Sequence, residues 1–132
     1  MKWKIDYVED RGIVQVKTTG KMSWEERRKL TEDALAAGRK MNFSAFLVDQ
    51  KETAFGLSAQ EINRLPVVLR DIGFGPEDRM AILINPGSIN GSSLRFLQNV
   101  LCLSLLRVQV FTDHKEATAW LKTRTKTRKM CV

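Results

Sequence analysis

Acid–base chemistry near neutral pH would start at His114, the chain's one histidine. Nucleophilic catalysis needs a nucleophile, a base and an orienting group held together. The acids beside His114 are Asp113 and Glu116, and both stand where a helix start needs them: Asp113 at the cap and Glu116 three residues on. His114 therefore reads as a solvated residue of a first helical turn, and no catalytic residue is assigned. One histidine and two distant cysteines, Cys102 and Cys131, do not supply a transition-metal ligand set. No metal and no cofactor is expected.

Two segments could bind rather than react. The first is the loop Asn85 to Ser93, between an apolar strand and a helix, the place where open α/β sheets bind ligands. Gly87, Ser88, Gly91, Ser92 and Ser93 would let backbone amides approach an anion at a helix N-terminus. Neither the dinucleotide fingerprint nor the Lys-Ser/Thr ending of a P-loop is present. The loop reads either as an anion-binding turn or as a flexible connection with a serine cap. The second segment is the helix expected from about Leu94 to Leu106. Leu94, Leu97, Leu101 and Leu105 form one stripe, and Phe96, Val100, Leu103 and Leu106 a second. A surface helix usually shows one apolar stripe. Leu94, Leu97, Val100, Leu101, Leu103 and Leu105 are thus candidates for a ligand or partner surface, the alternative being a deeply buried helix. Cys102 fits either as a small hydrophobe.

The elements that position these residues alternate regularly. Trp3 to Glu9 and Ile13 to Thr19 read as strands joined by the turn Glu9-Asp10-Arg11-Gly12, an antiparallel hairpin. Ser23 with Glu26 makes a capping box. Trp24, Arg27, Leu30, Ala34, Ala37 and Met41 then step at helical spacing, with Gly38 expected to end the regular part. Ala45 to Asp49 is a continuous apolar run, as in a strand covered on both faces. Ser58 and Glu61 open a second helix, which Pro66 should kink or divide. Met80 to Ile84 and Val108 to Thr112 are further strands, and the last helix turns Ala117, Trp120 and Leu121 inward. The order is ββαβαβαβα: an α/β fold with a five-stranded, mixed but mainly parallel sheet and four helices.

The 132 residues carry a net charge of +7, unevenly spread. Lys122, Arg124, Lys126, Arg128 and Lys129 crowd the end, and setting these five aside leaves +2 for residues 1–121. One domain over 1–121 and a basic, disordered tail over 122–132 are expected. A cationic tail is a solvated end or an arm for a polyanion. No apolar run reaches the ~18 residues of a membrane span, and the N-terminus lacks an apolar signal core. A cytoplasmic, non-transmembrane protein with neither disulfide framework nor metal spacing is expected.

Asp10-Arg11-Gly12-Ile13-Val14, Leu47-Val48-Asp49 and Val110-Phe111 through Ala117-Thr118-Ala119-Trp120-Leu121, in this order, resemble the STAS-like domains, named for sulfate transporters and anti-sigma-factor antagonists. The nearer likeness is to the small single-domain bacterial branch labelled STAS/SEC14-like, and it covers residues 1 to about 121. The resemblance implies the SpoIIAA-like five-stranded mixed sheet with four helices and a role in binding rather than catalysis. The antagonists carry a phosphorylatable serine before a glycine in the loop after the central strand. Here Phe55 precedes Gly56, and neither Ser58 nor Thr53 matches the motif. The expectation is a non-enzymatic regulatory or protein-interaction domain, with a protein partner or a homodimer. The alternative is a carrier or sensor of a small apolar or lipid-like ligand.

Overall fold

The computed structural model describes residues 2–122, so the basic tail from residue 123 on lies outside the described residues. A 3-10 turn over Glu9–Arg11, closed by left-handed Gly12, joins β1 (Trp3–Val8) to β2 (Ile13–Gly20). The glycine suits a positive φ that costs other residues energy. After the hairpin come α1 (Trp24–Met41), β3 (Ala45–Thr53), α2 (Ala59–Asp71), β4 (Arg79–Ile84), α3 (Gly91–Leu103), β5 (Val108–Phe111) and α4 (His114–Lys122). The sheet order is β1-β2-β3-β4-β5, with the first pair antiparallel and the rest parallel. This is the ββαβαβαβα order and mixed sheet expected from the sequence.

Each parallel crossover steps one strand in the same direction, and right-handed connections then place α1, α2 and α3 on one face. The side-chain clusters follow this division. Val14, Val16, Phe46, Val48, Met80, Val108 and Val110 pack with Leu30, Ile62, Leu69, Leu97 and Leu101 of the three helices. The opposite face packs Ile13, Ala45, Leu47, Ala81, Leu83 and Phe111 against Ala117 and Leu121 of α4. The alternation of β3 and β4 between faces explains their unbroken apolar runs. Under β1 and β2 the second face carries Lys4, Asp6, Gln15 and Lys17, so no helix is needed there.

Both serine capping boxes form. Ser23 Oγ accepts from the Glu26 N–H at 3.1 Å while Glu26 accepts from the Ser23 N–H at 2.9 Å. Ser58 and Glu61 repeat the arrangement at the same two distances. Ser58→Ala should therefore lower stability by about 1 kcal/mol in urea unfolding; an unchanged midpoint would show the cap to be dispensable.

Four local expectations need correction. Gly38 does not end α1. It lies inside the helix against Phe43 and Phe46, and left-handed Asn42 ends it instead. α2 is not divided at Pro66 but runs from Ala59 to Asp71 with the proline on its buried side. β3 continues past Asp49 to Thr53, because Glu52 and Thr53 still pair with Thr19 and Gly20. α3 starts at Gly91 rather than Leu94, since Asn90 accepts from the Ser93 N–H at 2.8 Å and is the cap. It also ends earlier. Ser104 bonds the Leu101 carbonyl at 2.6 Å, an alternative to the helical ladder, and Leu105 turns left-handed at φ 69°.

Candidate functional site

A partly open cavity of about 70 Å³ lies between the sheet and the three helices of the first face. One water needs only ~10–15 Å³, so the space is several waters large. Its floor is the cavity-facing set of β3 and β4, including Val48, Ile82 and Ile84. The helices contribute residues at three- and four-residue spacing: Trp24, Arg27, Leu30 and Thr31 of α1, Leu65, Val68 and Leu69 of α2, and Leu97 and Leu101 of α3. Ile82 shows the effect on packing. Its chain neighbours Ala81 and Leu83 are fully covered, yet Ile82 itself, in an interior strand, stays partly accessible.

Arg27 is the polar exception in this wall. It is 7% exposed. Its Nη2 donates to the carbonyls of Ala54 at 3.1 Å and Phe55 at 2.5 Å, and its Nη1 donates to Gln50 Oε1 at 3.4 Å. All three acceptors are neutral. Its Nε–H is buried with no acceptor. Burial holds the guanidinium below the usual arginine value, opposed by the charge of Glu61. It stays protonated throughout the accessible pH range. A buried cation without a carboxylate bonded to it is costly, and so is an orphaned donor.

The polar end of the cavity lies at the carboxyl ends of the parallel strands. Gln50, Ala54 and Phe55 belong to the end of β3 and the loop after it. The N-termini of α1 and α2 stand at this end too, each with a partial positive charge. Arg64 of α2 reaches over the Trp24 ring, 5.6 Å from its centroid. Beside this, Thr18 and Thr53 are buried and their hydroxyls are hydrogen-bonded to each other, a polar link between β2 and β3.

The residues singled out by sequence fall into separate places. His114 is exposed at the start of α4 and lines no part of the cavity. In the Asn85–Ser93 loop, the Asn85 side chain accepts from the Gly87 N–H at 2.9 Å, and Asn90 accepts from the Ser93 N–H and the Ser92 hydroxyl, each at 2.8 Å. Ser88 donates its hydroxyl to the Asn85 carbonyl at 2.8 Å, and Gly91 is the first residue of α3. The loop thus fills with its own asparagines two of the donors that an anion would use, and no serine is the cap. In the switch-loop position Phe55 is buried, Gly56 is left-handed at φ 58°, and the Ser58 oxygen caps α2.

The two stripes of α3 do not divide into an inward and an outward face: Phe96, Val100 and Leu106 of the second also pack against the core, and Leu105 of the first lies beyond the helix end. Leu97 and Leu101 are each 2% exposed and line the cavity, while Leu94 and Val100 are half-buried against the same core. Leu103 and Leu105 face outward, 72% and 60% exposed. Cys102 is half-buried. Among the described residues, no group of three or more His, Cys, Asp or Glu is placed to hold a metal, and no helix is long and apolar enough to cross a membrane.

Arg27 is the site residue that sequence reasoning placed without recognising. Its signal was present: a cation in the inward stripe between Trp24 and Leu30. Long basic side chains usually extend from such positions to water, whereas this one is retained by the loop after β3.

A comparison with protein-family models finds no match, and neither does a search of curated proteins. Fold and site together define a class: an α/β domain with a mixed sheet whose three-helix face encloses an apolar cavity with a buried arginine at one end.

Proposed function

We propose that this domain binds a small apolar molecule between its helices and sheet and acts as its carrier or sensor, without covalent chemistry. The cavity carries this reading. Interiors pack to crystal-like density with few voids larger than a water, and an apolar space of this size forgoes contacts that a ligand restores. The lining is mostly aliphatic, and two of the α3 leucines expected to meet a ligand, Leu97 and Leu101, are in it. The STAS-like resemblance belongs to the same reading and is favoured by the element order. A hydroxyl-based phospho-switch is not part of it, because Phe55 stands before Gly56.

A regulatory or protein-contact role through self-association is the second reading. Leu103 and Leu105 favour it as two exposed leucines at the end of α3, the second in a left-handed conformation that is uncommon outside glycine. One experiment reads both. Native mass spectrometry of protein purified from its own source should show a retained small molecule released on denaturation. A bare mass, with no apolar compound raising the melting temperature, would overturn the carrier and sensor reading. A monomer at high micromolar concentration would overturn the second.

A further inference from the structure

We infer that the ligand of this cavity is a single-chain amphipathic anion: an ionised, unbranched carboxylic acid whose hydrocarbon lies among the aliphatic side chains and whose carboxylate faces Arg27. This rests on the ligand-binding reading and adds the ligand's charge and shape. Three observations carry it. The walls offer aliphatic contact from three helices and two strands, which suits a hydrocarbon and gives little to a sugar or a base. Arg27 is buried, keeps its charge and is hydrogen-bonded only to neutral acceptors, Glu61 acting on it by charge without a bond, so an incoming carboxylate would be its first charged hydrogen-bond partner. The Nε–H of Arg27 also has no acceptor. Arg64 lies over Trp24 beside this end, while Arg28, also in the lining, is paired with Glu32 at 3.1 Å.

The cavity holds one chain rather than two. At about 70 Å³ and partly open, it is smaller than the ~150 Å³ that takes a benzene ring, so it receives the end of one slender chain and not the paired chains of a membrane phospholipid. The carboxylate should replace part of what water cannot supply to Arg27, so binding should depend on charge more than on chain chemistry.

The test uses the full chain with octanoate, octanol and octylammonium, read by calorimetry and by Trp24 fluorescence, since that ring lines the cavity. Octanoate should bind about tenfold or more tightly than octanol, the difference expected of one charge-assisted hydrogen bond over a neutral one, and octylammonium should bind worst. Arg27→Met should equalise acid and alcohol binding. Arg27 also ties down the loop after β3, so this variant could lose its fold. The ranking on the unmodified chain decides the matter without it. Octanol binding as tightly as octanoate would overturn the anion inference and leave the apolar-ligand reading standing. Failure of all three probes would overturn both. Displacement of octanoate by phosphatidylglycerol vesicles would overturn the single-chain assignment.

Discussion

Gly38→Ala should destabilise the domain by about 2 kcal/mol, although alanine is the better helix former by ~1 kcal/mol. A Cβ at this position would stand 2.7 Å from Phe46 Cζ and 2.8 Å from the Phe43 carbonyl oxygen. The ring cannot retreat freely, because Phe46 is 0% exposed at the centre of the larger core cluster. Nor can the carbonyl: the Phe43 N–H donates to the Gly38 carbonyl at 2.8 Å, which pins that backbone to the helix it would have to leave. α1 must therefore rise off the sheet or the turn after it must open. Gly91→Ala provides the control. It lies in the first turn of α3 with nothing within 4 Å of the added carbon, so it should be neutral or slightly stabilising. Urea unfolding of both variants checks the pair. Phe46→Leu should return only part of the loss at Gly38, since the carbonyl contact stays. Equal behaviour of the two glycine variants would mean that close packing at α1 is not what holds this helix to the sheet.

The same position shows how far the sequence could be read. Helix and strand periods are local properties, and the order of nine elements followed from them. Gly38 was legible only as a weak helix former; that it is a contact point depends on Phe46, which arrives from another element. The end of β3 was hidden for a similar reason. Gln50, Lys51 and Glu52 look like loop residues, yet Glu52 and Thr53 are strand because β2 pairs with their backbone. Gly91, Ser92 and Ser93 looked like loop because the serines were expected to cap, while Asn90 does so one turn earlier. The cavity was beyond local reading altogether. It depends on how three helices stand off one sheet face, and no single helix encodes that distance. What the sequence did contain was its chemistry: the paired stripes of α3, of which Leu97 and Leu101 face in, and an arginine on the inward side of α1.

Arg39→Ala should cost about 3 kcal/mol, more than removing the charge of its own partner. The two sides of this ion pair are unequally buried. The Asp78 side chain is 3% exposed, whereas that of Arg39 is 50% exposed. Asp78 accepts from Arg39 Nη1 at 2.9 Å and Nη2 at 2.5 Å, and from the Gly75 N–H at 2.7 Å. Arg39 Nη2 also donates to the Gly73 carbonyl at 3.1 Å, so one side chain ties the end of α1 to the turn between α2 and β4. The Asp78 hydrogen bonds hold the guanidinium above the usual arginine range, against a desolvation that lowers it. A raised value means its contribution is complete below arginine's ordinary range, so the loss should be flat through neutral and mildly alkaline pH. Without Arg39 a carboxylate is left buried with one backbone donor, and the expense lies in that stranded charge. Asp78→Asn strands nothing comparable: the arginine can turn to water, and the amide oxygen can still accept from Gly75. That variant should lose about 1 kcal/mol. The decisive measurement is the double variant in urea. If burial of the carboxylate governs, adding Asp78→Asn to Arg39→Ala recovers part of the stability already lost. If the attraction between the charges governs, the second substitution changes nothing or costs more, and the asymmetry derived from exposure is wrong.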